Sequence, residues 1–251
     1  NNVADLKCHQ GLLSLMKNLN KQQEIIRFDR VGLSYTKNTP ICFDLDFSFF
    51  TGGFYFLTGP SGVGKTSLLK LIYKEILPTN GTVRVFGKDL SKLTMQELPC
   101  FRQKMGLVFQ DCRLLDHLNT LDNVALPMKI AGSDIKKARI YAKELLHWVG
   151  LGQQIDAFPS TLSDGQKQRI GIARAVITRP KLLLADEPTG NVDDISAFKM
   201  MNLFEELNKI GTTIILATHN RQIVSTFPYP ELQLYHGQLS YSQQDQYPMN
   251  G

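Results

Sequence analysis

The chain has 251 residues and 28.3 kDa, 43% hydrophobic and 20% charged, values of a folded globular protein that exclude a disordered or fibrous one. Its 28 Lys and Arg against 23 Asp and Glu leave a net charge of +5, scattered along the chain, which does not make a nucleic-acid-binding tract. The longest charge-free run, Phe47 to Gly64, holds five Gly and a Pro and excludes a membrane-spanning helix, and four cysteines with no C-x-x-C pair exclude a disulfide framework.

In chain order, Leu12, Leu13, Leu15, Met16 and Leu19 stand at spacings a helix places on one side, so residues 1–24 read as an appended amphipathic segment of open role. Ile26, Phe28, Val31, Leu33 and Tyr35 predict a strand with one break in register. From Ile41 to Phe49 every odd position is apolar, predicting a half-buried strand with Phe43 facing inward and Cys42 outward. Val83 and Val85 predict a third strand after the Pro78-Thr79-Asn80-Gly81 turn, and the three together an antiparallel layer. Phe54 to Leu57, Leu182 to Ala185 and Thr213 to Ala217 are almost unbroken apolar runs, the pattern of parallel strands covered on both faces. Between about 111 and 167 strand signals are missing and a helical pattern from Ile135 to Val149 stops at Gly150, so this stretch is expected to be a helical insertion. The tail, 240–251, is Gln-rich and expected to be unstructured.

Directly after the first apolar run comes Gly59-Pro60-Ser61-Gly62-Val63-Gly64-Lys65-Thr66, followed by a helix pattern at Leu68, Leu69, Ile72 and Ile76: a G-x-x-x-x-G-K-[ST] motif in the strand, loop and helix context it needs. Glycines let successive backbone N–H groups turn onto phosphates, and the following helix adds partial positive charge at its start. Lys65 reaches the β and γ phosphates and Thr66 offers a hydroxyl to Mg²⁺; Ser67 closes this expected ATP-binding set. A later apolar run ends in Asp186 and Glu187, which by position fit a Mg²⁺ carboxylate and a general base for the attacking water; alone, such a pair is more often a solvated strand end, and the phosphate cradle upstream reverses that reading.

Between cradle and acids lies Leu162-Ser163-Asp164-Gly165-Gln166, and with it the chain resembles the ATP-binding cassette (ABC) ATPases, whose signature is L-S-G-G-Q. The resemblance covers about residues 25–239 and implies a P-loop NTPase fold with a RecA-like parallel core, an N-terminal antiparallel β layer and a helical insertion. It also implies roles: Tyr35 stacking on adenine, Gln110 as the Q-loop residue and a Mg²⁺ ligand, Asn191 to Asp193 as the D-loop, and His219 as the switch histidine. Catalysis would then rest on Glu187, His219, Lys65 and Gln110, and the metal on Thr66, Gln110 and Asp186. ABC ATPases sandwich each ATP between one subunit's P-loop and the other's signature, so a homodimer is implied, with Ser163, Gly165 and Gln166 meeting the partner's nucleotide. Ser163 and Gln166 equally fit a capping box opening a helix. Asp164 departs from the signature's first glycine, and Gly171 sits inside the expected helix at a cost of roughly 1 kcal/mol relative to Ala.

Within the family, Phe54 to Thr66, Val108 to Asp111, Asn123 to Pro127, Leu184 to Asp193 and Ala217 to Asn220 look most like the cell-division branch, the FtsE type. That branch implies an integral membrane subunit of the FtsX type and a peripheral place at the cytoplasmic face of the inner membrane. The nearest alternatives are lipoprotein-release, macrolide-export or solute-import ATPases, or a nucleotide-gated scaffold with little hydrolysis. The partner's docking groove is expected around Arg113, Leu114, Leu115, Leu118 and Val124.

Overall fold

The computed structural model describes residues 23–36, 39–190 and 192–242; the side chains of residues 35, 36, 39 and 40 are outside that description. Two sheets form. Strands β1 (Glu24–Thr36), β2 (Thr39–Phe50), β4 (Asn80–Val85) and β5 (Lys88–Asp89) make an antiparallel sheet in the order β2-β1-β4-β5. Strands β3 (Phe54–Thr58), β6 (Met105–Val108), β7 (Leu182–Asp186), β8 (Thr213–Ala217), β9 (Glu231–Tyr235) and β10 (Gln238–Tyr241) make the second, ordered β10-β9-β3-β8-β7-β6. It is parallel throughout except for the β10 edge.

The unbroken apolar runs are explained by what covers them. Leu57, Leu182, Leu184, Ile215 and Ala217 face a core shared with the antiparallel sheet. Their chain neighbours Phe56, Leu183, Ala185, Ile214 and Leu216 face a second core under helix α6 (Asp194–Lys209). Successive strand residues point to opposite faces, so a sheet covered twice has no polar side to show in its sequence. Beyond the short α2 (Leu98–Arg102), helices α3 (Thr120–Ile130), α4 (Ile135–Trp148) and α5 (Asp164–Val176) enclose a third core around Val124, Ala138, Ala142, Leu146 and Ile170. The helical pattern expected before Gly150 is present, and that glycine takes φ 73 just beyond the helix.

Several expectations are corrected. The break expected in β1 falls between Phe28 and Val31, where Arg30 has φ 46, but it is not single: the pairing with β2 shifts register again between Glu24 and Ile26 and repeatedly from Val31 to Thr36. One of these shifts, unmarked by composition, sits at Asp44 with φ 51. It inverts the near end of β2: Cys42 is buried at 4% and Phe43 is exposed at 51%, the reverse of strict alternation. The helix after the cradle, α1 (Lys65–Ile72), stops before Ile76 because Lys74 turns left-handed at φ 55. Glu24 opens β1 rather than belonging to the extension, and Ser240 and Tyr241, expected in the tail, complete β10. The rest of both ends, residues 1–22 and 243–251, lies outside the described residues.

Gly171 is fully inside α5, and a Cβ there would meet Cys112 atoms at 3.7 Å, an ordinary contact. Gly171→Ala is therefore expected to stabilise the fold by about 0.4–1 kcal/mol, read as a higher midpoint of thermal unfolding. A lower midpoint would show that Cys112 must approach closer than the structure has it.

Candidate functional site

The chemistry-bearing residues converge where the parallel strands end, the usual place for ligands in an open α/β sheet. β3 runs into the cradle, β6 into Phe109 and Gln110, β7 into Asp186 and Glu187, and β8 into Thr218 and His219. Gly59, Gly62 and Gly64 hold φ values of 144, 76 and 111, conformations closed to most side chains. A Cβ would also strike the Leu234 carbonyl from Gly59 at 2.4 Å and the Ile41 side chain from Gly64 at 2.2 Å. These turns leave Pro60, Ser61 and Val63 on the loop, with Ser67 buried in the first turn of α1. The Lys65 ammonium folds back over the loop and donates to the carbonyls of Gly59 (2.9 Å) and Pro60 (3.2 Å). Two weak neutral acceptors hold this 9% exposed charge in place, leaving it free to exchange them for an anion.

Asp186 accepts a hydrogen bond from the Thr66 hydroxyl. Burial pushes its carboxyl above the ordinary value and Glu187 adds to the rise; the Thr66 bond, Lys65 and Lys70 oppose it. Glu187 has φ 47, its N–H donates to Ala217 O at 2.9 Å, and its side chain is 12% exposed. Both its oxygens are engaged by His219, Oε1 with Nδ1 at 2.9 Å and Oε2 with the backbone N–H at 3.3 Å. Such a left-handed non-glycine residue at a strand end marks a site whose surroundings fix an unusual backbone.

Thr66, Gln110 and Asp186 share a cleft of about 460 Å³ with Tyr73, Phe109 and Arg113. Gln110 is exposed, and the chain after it is tightly held. Cys112 and Arg113 take φ 56 and 42, Arg174 of α5 donates to both their carbonyls at 2.6 and 2.7 Å, and the Cys112 thiol donates to Gln168 at 2.8 Å. The Arg113 guanidinium stacks over Phe109, 3.9 Å from the ring centre. Sequence reading missed Arg174, a charge inside an otherwise apolar helix face. It also missed Glu231, an acid opening an apolar strand, which accepts from the Thr58 hydroxyl at 2.6 Å and pairs with Arg221 just past His219. Burial opposes ionisation of Glu231, but the Thr58 and Arg221 bonds together hold its carboxyl below the ordinary range.

Ser163 and Gln166 form the reciprocal capping box at the start of α5. Neither they nor Gly165 line the cleft of Thr66 and Asp186. Asp164 is exposed in the first turn and pairs with Lys167 at 3.4 Å. Tyr35 lies in β1 with its side chain outside the described residues, as is Asn191; Asp193 caps α6 through Ser196. Of the expected docking residues, Val124 is fully buried and Leu114 packs on the insertion core, whereas Leu115 is 37% exposed.

Residues 42–190 match the sequence model of a family described as ABC transporter. Over 215 residues the chain is 41% identical to the cell division ATP-binding protein FtsE of Escherichia coli K12, covering 86% of this chain and 97% of that one. The same protein from Streptococcus pneumoniae D39 is 37% identical over 215 residues, covering 86% and 94%. A solved dimeric ATP-binding cassette in a post-hydrolysis state bound to ADP and Pi is similar at 29% identity with a TM-score of 0.81, covering 86% of this chain and 97% of that one.

Proposed function

The chain belongs to the ABC transporter family, and from that membership we propose a working division of labour for its site. It is the ATP-binding and ATP-hydrolysing subunit of an ABC-type complex acting in cell division. The observation that carries the residue roles is the engagement of Glu187 by His219 beside the Asp186–Thr66 contact, at the mouth of the glycine cradle.

The cradle's N–H groups and Lys65 bind the phosphates of ATP, with Tyr35 stacking on the base. Thr66, Asp186 and Gln110 are oxygen donors around one cleft, the donor set a hard divalent cation takes, and they would hold Mg²⁺. When bound, that ion offsets the charge of the β and γ phosphates. Glu187 takes the proton of the attacking water. An ionised carboxylate has about four acceptor sites. His219 uses two of them to fix the group's direction, leaving others for the water. An intact acid and histidine pair supports a hydrolysing motor over a passive scaffold.

The cleft of Thr66 and Asp186 takes nothing from Ser163, Gly165 or Gln166, which supports their acting on a second copy's ATP in a homodimer. No helix of the described residues is long and apolar enough to cross a membrane. We assign the membrane contact to an integral subunit of the FtsX type, placing the chain peripherally at the cytoplasmic face of the inner membrane. Of the expected docking residues, Arg113 and Leu115 are exposed and Leu118 is half-buried, and these remain available for it.

Sedimentation of the purified chain with and without ATP, alongside phosphate release, tests this reading. Dimer mass with ATP and phosphate production are expected together; hydrolysis by a strict monomer would overturn it. Asp164 suits the helix dipole of α5 yet carries a charge toward the second copy's γ phosphate, and its 3.4 Å pair with Lys167 is exposed and weak. Asp164→Gly is expected to strengthen ATP-driven dimerisation, and a weaker dimer would show that the helix term dominates.

A further inference from the structure

Among the described residues Glu231 is the one buried carboxylate, 7% exposed, and the division of labour above gives it no task. It opens β9 on the face opposite Leu232 and Leu234, which belong to the core shared with the antiparallel sheet. A carboxylate taken out of water is costly unless donors meet its charge. Three reach Oε1: the Thr58 hydroxyl at 2.6 Å, the Arg221 guanidinium at 2.5 Å and the Gln233 side-chain amide at 3.5 Å.

The two closer donors flank the reacting groups. Thr58, itself buried, ends β3 immediately before Gly59 and the cradle. Arg221 stands two residues past His219 and opens the short helix α7 (Arg221–Thr226). The His219 side chain is 73% exposed, so packing does little to set its direction and the backbone on either side has to. Before it, the Thr218 N–H donates to Leu57 O at 3.1 Å. After it, the Asn220 side chain caps α7 by accepting from the Ile223 N–H at 3.1 Å. A helix of 6 residues is too short to hold itself in water, and Arg221 sets a cation at its start, where the dipole disfavours one.

The geometry points to Glu231 as a positioning residue: by holding Arg221 beside Thr58 it fixes the start of α7, and with it the direction in which His219 meets Glu187. Strand β9 thus brackets the loop after β8 against the strand that carries the cradle. The consequence for turnover rests on the roles proposed above for Glu187 and His219. A purely structural Glu231, serving the buried Thr58 hydroxyl alone, would leave His219 indifferent to Arg221.

Arg221→Met removes the cation, Glu231→Gln keeps an acceptor for Thr58 but removes the charge, and Arg221→Lys is the conservative variant. Each is made in the full chain and again with His219→Ala. In nucleotide-free protein, the imidazole ¹⁵N signals of His219, assigned by their loss in His219→Ala, are expected to move in Arg221→Met and Glu231→Gln and to stay in place in Arg221→Lys. The kcat of phosphate release should fall about tenfold in the first two while the Kd for ATP stays within about twofold, and Arg221→Lys should keep most of the rate. With His219→Ala, the same substitutions should change kcat by less than about twofold, because what they position is gone. The Arg221 side chain is 66% exposed, so Arg221→Met keeps the test decisive if Glu231→Gln unfolds in a thermal scan. Unmoved imidazole signals in Arg221→Met overturn the positioning role, and so does a rate loss that is equal with and without His219. Moved signals beside a His219→Ala variant of unaltered turnover uphold the bracket and strike the catalytic role of His219 instead.

Discussion

Glu187→Gln is expected to slow ATP hydrolysis by roughly two to four powers of ten while ATP still binds. The amide keeps the size and shape of the carboxylate but cannot accept a proton from water. It also leaves the phosphate-binding parts alone: Lys65 is held by Gly59 and Pro60, and Asp186 by Thr66, none of which depends on the Glu187 charge for a hydrogen bond. The His219 backbone N–H can still donate to the remaining side-chain oxygen, so the loop after β8 keeps its anchor. ATP-bound dimers should then accumulate. Single-turnover phosphate release and sedimentation with ATP check the two halves separately. Turnover within threefold of the unaltered chain would remove Glu187 from the general-base role and leave it as a strand-end acid that orients His219.

Much of this site could be read before any fold was known, because phosphate binding demands a local pattern. Three glycines at fixed spacing before a Lys and a Thr describe a backbone conformation, and the structure has it at Gly59, Gly62 and Gly64. The parallel strands were legible for the opposite reason, an absence of alternation where both faces are covered. What the sequence hid were features without a local cause. The bulge at Asp44 swaps Cys42 for Phe43 in the core, and an aspartate in an alternating strand carries no mark that distinguishes a bulge from a solvent-facing side chain. β9 does alternate, with Leu232 and Leu234 inward, but the alternation spans too few residues to stand out as a strand. Glu231 and Arg174 act over long separations, on Thr58 and on Cys112 and Arg113, and such pairings exist only once the chain has closed. The helix forecast to run to Ile76 failed at Lys74 because apolar spacing alone does not register a left-handed residue.

Asp186→Asn should move catalysis and stability in opposite directions. Catalysis should fall because the substitution takes a full negative charge from the oxygen cluster of Thr66 and Gln110. The Mg²⁺ concentration needed for half-maximal phosphate release is expected to rise roughly 10- to 100-fold, with a large drop in rate even at saturation. ATP binding in EDTA should change little. Stability should rise, and the sign follows from the carboxyl's direction of shift. Burial and the nearby Glu187 charge raise the Asp186 pKa in the folded chain, so folding favours its protonated form. Its contribution is present below the unfolded-state pKa and is lost as pH rises through the folded one, which leaves an ionised, half-buried Asp186 as a cost at neutral pH. An uncharged Asn that still accepts from Thr66 removes that cost. The nucleotide-free variant should therefore unfold at a higher temperature at pH 7, and the difference should shrink as pH falls toward the carboxylate range. A variant that loses activity and unfolds earlier at neutral pH would make Asp186 a structural acid, and the metal would then have to rest on Thr66 and Gln110.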